Sequence, residues 1–166
     1  NCTIVNNHSI FYSGGGIGYW SSSDNHQLIN SILWNNTINS DDSMGSQIYH
    51  NDGSSTLLVS YCDIEYGEQN IIVTSSGILD WNVGNISLDP LFTYSENEDF
   101  TLSPNSPCVD AGTSDLDDDG INDILDYNGQ APDIGAFESY IQLEDLGDVN
   151  QDGWIDIGDV VAMVVI

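Results

Sequence analysis

The sequence contains no lysine and no arginine, so its 27 acidic residues are unopposed and the formal net charge is −27. Binding of nucleic acids and of anionic membranes depends on lysine and arginine contacts to phosphate. Both classes of partner are therefore excluded, together with a Walker lysine, a phosphate-clamping arginine and a lysine Schiff base. Such an excess of carboxylates requires counterions, and calcium is the cation that we expect.

Cysteine and long apolar runs are also scarce. The three cysteines are Cys2, Cys62 and Cys108. Their odd number disfavours a disulfide framework. The sequence has no C-x-x-C pair that would indicate a zinc site, so we expect reduced, buried thiols. The apolar run at residues 160–166 is too short to span a membrane. Because the chain starts without methionine or a signal segment, we interpret it as part of a longer secreted or cell-surface protein.

The first half of the chain repeats itself. Residues 1–7 (NCTIVNN) resemble residues 30–36 (NSILWNN), and residues 61–67 (YCDIEYG) are a weaker third copy, with starts 29 and 31 residues apart. In a second alignment, residues 16–19 (GIGY) match residues 47–49 (QIY), 31 residues further on. Repeats of this length predict a solenoid. The content of β-branched residues, asparagine and glycine predicts coils of strand with turns at the corners.

Side chains on a strand alternate between two faces, and this alternation assigns the repeated positions. The positions expected to point inward are Cys2, Ser31, Cys62, Ile4, Leu33 and Ile64. The positions expected to point outward are Thr3, Ile32, Asp63, Val5, Trp34 and Glu65. The asparagines at the corners are expected to stack as a ladder that satisfies the backbone of the turns.

These repeats resemble the right-handed parallel β-helix family, whose coils are of the pectate-lyase type. Residues 84–92 (GNISLDPLF) are similar to the final coils of such proteins, and residues 102–112 and 133–138 are similar to their capping segment. The resemblance implies an all-β fold over residues 1–140, a right-handed parallel β-helix solenoid with a C-terminal cap. The cap is expected to cover the strand edges that the last coil would otherwise expose.

The most specific motif is a twelve-residue calcium loop at residues 148–159 (DVNQDGWIDIGD). Oxygen donors stand at loop positions 1, 3, 5, 9 and 12, a glycine stands at 6, and a backbone carbonyl is available at 7. The expected ligands are Asp148, Asn150, Asp152, Trp154, Asp156 and Asp159. Asp159 stands where helix-loop-helix calcium proteins place glutamate. The alternative is a solvated acidic turn.

Residues 141–166 resemble the first loop and the partial helix of a type I dockerin. The resemblance implies a cohesin-like partner, since dockerins anchor enzymes to cohesin modules. Ile157 and Gly158 occupy loop positions 10 and 11, where cellulosomal dockerins carry small hydroxyl residues. A cohesin of a cellulosome is therefore the less favoured partner.

A second loop, residues 115–126 (DLDDDGINDILD), has the same spacing. Its candidate ligands are Asp115, Asp117, Asp119, Ile121, Asp123 and Asp126, with Ile121 contributing its carbonyl. The loop lies inside the capping region without clear flanking helices, so an isolated calcium turn and an acidic solvated loop are both open. Carboxylates this close together repel each other unless a cation lies among them.

Catalytic signals are weak. Asp41 and Asp42 form an adjacent carboxylate pair, as in β-helix polygalacturonases, but the Gly-His-Gly and Arg-x-Lys motifs of those enzymes are missing and a turn is favoured. The β-helix lyases use a lysine or arginine base, and the sequence has neither. His8, His26 and His50 stand at no metal or triad spacing, and each is expected at the surface.

Outward-facing aromatic residues raise the alternative of a glycan surface. The candidate contacts are Trp34, Trp20, Tyr49 and Glu65. An aromatic platform with hydrogen-bond acceptors suits carbohydrate rings, whereas folded-back loops would bury the same side chains. Two functions stay open at this point: a non-catalytic extracellular module that binds calcium and contacts a surface or a polysaccharide, and the C-terminal part of a polysaccharide lyase or glycoside hydrolase whose catalytic residues lie upstream.

Overall fold

The computed structural model describes residues 1–10, 14–20, 25–39, 47–51, 53–74 and 76–139. Within these ranges the regular structure is β-strand, apart from two short 3-10 helices at Gly67–Asn70 and Ser95–Asn97. The expected all-β class is confirmed. None of the helices in these ranges has the length and apolar character needed to cross a membrane.

Nine strands form three parallel sheets, and each pass of the chain adds one strand to every sheet. Sheet 1 consists of β1 (Cys2–Val5), β5 (Ser31–Trp34) and β9 (Asp63–Ile64). Sheet 2 consists of β3 (Ile17–Trp20), β7 (Ile48–Asn51) and β10 (Ile71–Val73). Sheet 3 consists of β4 (His26–Ile29), β8 (Thr56–Ser60) and β11 (Ile78–Trp81).

Two smaller pairs complete the described strands. The two-residue strands β2 (His8–Ser9) and β6 (Thr37–Ile38) pair in parallel at a corner between sheets 1 and 2. The strands β12 (Phe92–Tyr94) and β13 (Asp99–Leu102) pair antiparallel, with the second 3-10 helix between them. This hairpin, β12–β13, is the only antiparallel pair among the described strands.

The strand register agrees with the alignment of the sequence repeats. Ile4 lies opposite Leu33, and Leu33 lies opposite Ile64. In sheet 2, Ile17 lies opposite Ile48, as the second alignment predicts. The offsets of 29 to 31 residues therefore correspond to one complete pass of the chain.

The space enclosed by the three sheets is filled by apolar side chains. Its fully or largely buried members are Leu28, Leu33, Ile48, Leu57, Val59, Cys62, Ile64 and Ile71. Each sheet contributes, because β-branched and leucine side chains recur at alternate positions of short strands. Leu33 and Ile64 are each 0% exposed, and the half-buried Ile4 packs against the same cluster, so the inward assignment of the repeated aliphatic position is confirmed.

The opposite face of sheet 1 is also covered, and here the sequence expectation is wrong. Ile32 and Asp63 were expected to face solvent, but they are 1% and 0% exposed. Ile32 packs with Leu102, Cys108 and Ile134 in a second apolar cluster. The C-terminal segment therefore lies across the outer face of sheet 1, so that this sheet is buried on both sides as parallel sheets usually are.

Hydrogen bonds fix the C-terminal segment to this face. The Asn30 side chain donates to the Thr113 carbonyl over 2.7 Å and accepts from the Thr113 amide over 2.8 Å. The Gly135 amide donates to the Asn30 carbonyl, and the Ala136 amide donates to Thr3 Oγ1. Asp133, 0% exposed, accepts from the amides of Asp110 and Ser139.

The corner after sheet 1 carries the expected asparagine ladder. Asn6 and Asn35 both have left-handed backbone, with φ of 59° and 54°, and Asn35 Nδ2 donates to Asn6 Oδ1 over 2.6 Å. One residue further, Asn36 Nδ2 donates to the Ile4 carbonyl and to Gln47 Oε1. Asparagine tolerates the left-handed region and supplies both a donor and an acceptor, which explains its repetition here.

All three cysteines are free. Cys62 and Cys108 are buried as expected, but Cys2 is exposed, because β1 is an edge strand of sheet 1. The buried Cys62 thiol donates to the carbonyls of Leu28 and Ser60, and burial raises its pKa to about 12.

Candidate functional site

Three carboxylates of the loop at residues 115–126 come together on the surface of the C-terminal segment. One oxygen from each of Asp115, Asp117 and Asp123 lies within 4.8 Å of the others. Asp115 is half-buried, and the other two are exposed. These residues correspond to loop positions 1, 3 and 9 of the spacing noted in the sequence. Their hard oxygen atoms suit Ca²⁺ or Mg²⁺ and do not suit a soft metal.

The loop is closed by its own side chains. Asp115 accepts from the amides of Asp119 and Gly120 over 3.2 Å and 2.8 Å, and Gly120 has φ of 85°. Asp123 Oδ2 accepts from the Leu116 amide over 2.8 Å, which joins the two ends of the loop. A sharp turn around glycine with amides directed at the first aspartate is the geometry that the spacing predicts.

The remaining candidate ligands of this loop stay outside the group of three. Asp119 Oδ1 accepts from the Ile121 amide over 2.8 Å, and the Ile121 side chain is 68% exposed. Asp126 is exposed. No helix follows the loop in residues 121–139, so the chain does not carry position 12 back toward position 1 as it does in a helix-loop-helix protein.

A cleft of about 460 Å³ adjoins the loop. Asp115, Asp117 and Asp118 line one side, and Gln27, Tyr61 and Asn82 from the edge of sheet 3 and the following turns line another. The loop is held against this part of the chain through Asn30 and Thr113. The candidate metal group therefore borders an open space rather than a packed interface.

The other candidate calcium loop lies outside the described residues. This applies to Asp148, Asn150, Asp152, Trp154, Asp156 and Asp159. Asp41 and Asp42, the adjacent carboxylate pair, also lie outside the described ranges. The expectations for these residues stay predictions.

The aromatic candidates for glycan contact are divided between two surfaces. Trp34 is half-buried and lines a cleft of about 380 Å³ between sheet 1 and the β12–β13 hairpin. Trp20 and Tyr49 belong to neighbouring strands of sheet 2, with ring centroids 5.1 Å apart. Glu65 is engaged at the corner, where its Oε2 accepts from the Asn35 amide and from Gln47 Nε2.

The histidines are less exposed than the sequence suggested. His8 is exposed, but His26 is half-buried and His50 is 0% exposed. His50 lies at the end of sheet 2 next to Tyr19 and His26, with ring centroids 5.7 Å and 5.9 Å away. Its Nε2 faces Ser55, whereas its Nδ1 has no hydrogen-bond partner among the residues that the structure describes. The expectation of surface histidines is therefore wrong for His50, because its position on β7 points inward.

A buried carboxyl–thiol pair was not foreseen from the sequence. Cys108 Sγ donates to Asp63 Oδ2 over 3.2 Å, and the Leu88 amide donates to Asp63 Oδ1 over 3.1 Å. Burial raises the pKa of Asp63 to about 6, and it raises the pKa of the Cys108 thiol above its ordinary value, with Asp63 adding to the rise. The pair joins β9 to the C-terminal segment, so its role is structural. The one sequence signal for this pair is that Asp63 occupies the same outward position of the repeat as the apolar Ile32.

Comparison of the chain with protein-family models, with curated proteins and with solved structures found no match.

Proposed function

We propose that the chain is a right-handed parallel β-helix module of an extracellular protein that binds Ca²⁺ through the loop at residues 115–126. The module serves attachment or surface contact rather than catalysis. The single observation that carries the calcium function is the convergence of oxygens from Asp115, Asp117 and Asp123 within 4.8 Å, in a protein without one lysine or arginine. Such a group is strongly repulsive unless a cation lies among the oxygens.

The β-helix part of the proposal is supported by the strand order. Three sheets of three parallel strands each take one strand per pass, with aliphatic residues in register across the passes. Crossover connections between parallel strands are right-handed in about 98% of cases. A coil of this kind offers a rigid base for a loop, and Asn30 fastens the loop to sheet 1 through Thr113.

Calcium takes six to eight oxygen ligands, often including backbone carbonyls and water. Asp115, Asp117 and Asp123 provide the charged part of such a set, and the exposed surface of the loop leaves room for water. Sites of this type in extracellular modules bind at about 10⁻⁴ to 10⁻³ M. We expect an affinity in that range for the loop, because it would match the calcium concentration outside the cell that the proposed location implies.

The first prediction concerns calcium stoichiometry. With the second loop at residues 148–159, we expect the whole chain to bind two calcium ions, measured by equilibrium dialysis. Asp117→Ala should remove one of them, because Asp117 supplies an oxygen to the group and makes no hydrogen bond to other described residues. Asp148→Ala should remove the other.

Asp118→Asn is the matched control. Asp118 lies in the same loop but outside the group of three, and asparagine tolerates its φ of 60°. This variant should keep both ions. An unchanged stoichiometry in Asp117→Ala would show that residues 115–126 are only an acidic turn, and an equal loss in Asp118→Asn would show that charge rather than coordination holds the ion.

The dockerin-like segment extends this proposal to a cohesin-like partner. Its support is the sequence of residues 141–166 alone. The buried Asp63 does not support the enzymatic alternative, because it is paired with Cys108 inside the fold. Attachment is therefore the function that we favour.

A further inference from the structure

We propose that the cleft beside Trp34 binds a neutral sugar unit of a polysaccharide. This cleft, the Trp34 cleft, lies between the end of sheet 1 and the β12–β13 hairpin and has a volume of about 380 Å³. That volume is within the range of about 300–1,000 Å³ typical of ligand pockets. The inference rests on different residues from the calcium function and does not depend on it.

Aromatic rings supply the apolar surface of the cleft. Trp34, Phe92 and Phe100 line it, and all three are half-buried, so part of each ring remains accessible. The rings of Phe92 and Phe100 meet edge to face, with centroids 5.4 Å apart, which fixes their orientation. Trp34 is held by packing in the cluster around Ile32. Rigid aromatic rings with one wet side suit the C–H faces of a sugar ring.

Amide groups at the rim supply polar contacts of both kinds. Asn35 Nδ2 donates to Asn6 Oδ1 over 2.6 Å, which orients both side chains. Asn6 Nδ2 and Asn35 Oδ1 make no hydrogen bond to another described residue, which leaves one donor and one acceptor for a ligand. Asp89 also lines the cleft, and its Oδ1 already accepts from the Leu91 amide. A mixed set of donors and acceptors matches hydroxyl groups, which both donate and accept.

Charge narrows the class of sugar. The sequence contains no lysine or arginine that could neutralise a uronate, a sulfate or a phosphate, and the cleft itself carries the Asp89 carboxylate. An anionic sugar would be repelled, whereas an uncharged hexose or pentose unit would not. A neutral glucan, xylan or mannan is therefore the expected ligand class.

The experiment is an isothermal titration calorimetry measurement on the whole chain in the presence of EGTA. The neutral probes are hexasaccharides of glucan, xylan and mannan, and oligogalacturonate is the anionic probe. We expect saturable binding of at least one neutral probe and none of oligogalacturonate. Phe100→Ala should weaken that binding about tenfold, since an aromatic contact is lost. Asn6→Gly, which keeps the left-handed backbone, should also weaken it.

Trp20→Ala is the control, because Trp20 is 50% exposed and pairs with Tyr49 on sheet 2, away from the cleft. It should leave the affinity unchanged. If Trp20→Ala abolished binding and Phe100→Ala retained it, the sugar would bind at sheet 2, and the assignment of the Trp34 cleft as the sugar site would be wrong. Preference for oligogalacturonate would overturn the neutral class, and absence of binding to every neutral probe would overturn the proposal itself. Since Phe100 is outside both apolar clusters, Phe100→Ala should fold, and its circular dichroism spectrum verifies this.

Discussion

Asp63 illustrates at the scale of one residue how the fold tolerates a buried acid without a cation. Its side chain is 0% exposed and holds two elements together, through the Cys108 thiol and the Leu88 amide. The charged form is disfavoured by burial first and by the neighbouring Asp89 to a smaller degree, while the two hydrogen bonds favour it. The net effect is a pKa of about 6 instead of 3.8, so this carboxyl takes up a proton near neutral pH.

This shift predicts a pH dependence of stability. The folded state keeps the Asp63 proton up to about pH 6, and the unfolded chain loses it near 3.8. Between these values the folded state binds more protons, so the free energy of unfolding should fall as the pH rises, by up to about 3 kcal/mol, and level off above the folded pKa. Urea unfolding at several pH values measures the effect.

Asp63→Asn isolates this contribution from that of the other carboxylates. Asparagine can still accept from the Leu88 amide and can donate to Cys108 Sγ, so the packing is kept. The difference between wild type and variant should grow with pH from about 4 to 6, and the variant should be at least as stable at pH 7. A difference that does not change with pH would contradict the shifted pKa.

At the scale of elements, the sequence predicts the strands well and their surroundings poorly. The pairing of Ile4 with Leu33 and Ile64 follows from a local alternation that recurs at each pass. The burial of Ile32 does not follow from it, because Ile134, which covers Ile32, comes about a hundred residues later and belongs to no repeat. Local patterns determine which face a side chain takes, whereas long-range packing determines what lies on that face.

The candidate site shows the same division. Twelve-residue spacing correctly joins Asp115 with Asp117 and Asp123, since a tight turn at Gly120 brings nearby residues together. It does not bring Asp126 into the group, because no helix follows the loop within residues 121–139. The Trp34 cleft could be predicted only in part. Trp34 is in a repeat, but Phe92 and Phe100 belong to a hairpin outside the repeats.

The seating of the C-terminal segment on sheet 1 can be tested at Gly135. This residue has φ of 117°, and an added Cβ would lie 2.9 Å from Ile32 Cδ1 and 3.0 Å from Thr3 Oγ1. Gly135→Ala should therefore lower the free energy of unfolding by about 1–3 kcal/mol, through backbone strain and crowding. Chemical denaturation gives the value.

Gly53→Ala is the comparison, because a Cβ at Gly53 meets nothing within 4 Å and its φ is outside the left-handed region. That variant should be neutral or stabilised by about 0.4–1 kcal/mol, since alanine reduces the freedom of the unfolded chain. Equal effects of the two substitutions would mean that the segment is not seated on Ile32 and Thr3 as described.

At the scale of the whole molecule, charge is the dominant feature. Residues 89–166 contain 19 of the 27 acids, so the negative charge is concentrated in the C-terminal half of the sequence. Ordinary salt and calcium should both relieve the repulsion, but by different physical routes. Salt screens all pairs, and the screening length falls from about 30 Å at 0.01 M to about 10 Å at 0.1 M. A bound ion acts only where oxygens converge.

The two routes predict different responses of the melting temperature. Sodium chloride should raise it gradually, and to the same degree, in wild type, Asp117→Ala and Asp118→Asn, because screening does not distinguish single charges on so acidic a surface. Calcium at about a hundred times its dissociation constant should stabilise a protein with an intact site by about 2.7 kcal/mol. At matched ionic strength, calcium should therefore raise the melting temperature of wild type and of Asp118→Asn further than sodium does. The extra rise should be smaller in Asp117→Ala, which lacks one oxygen of the group. Identical curves for calcium and sodium in wild type would leave screening as the whole effect and would contradict a calcium site in this protein.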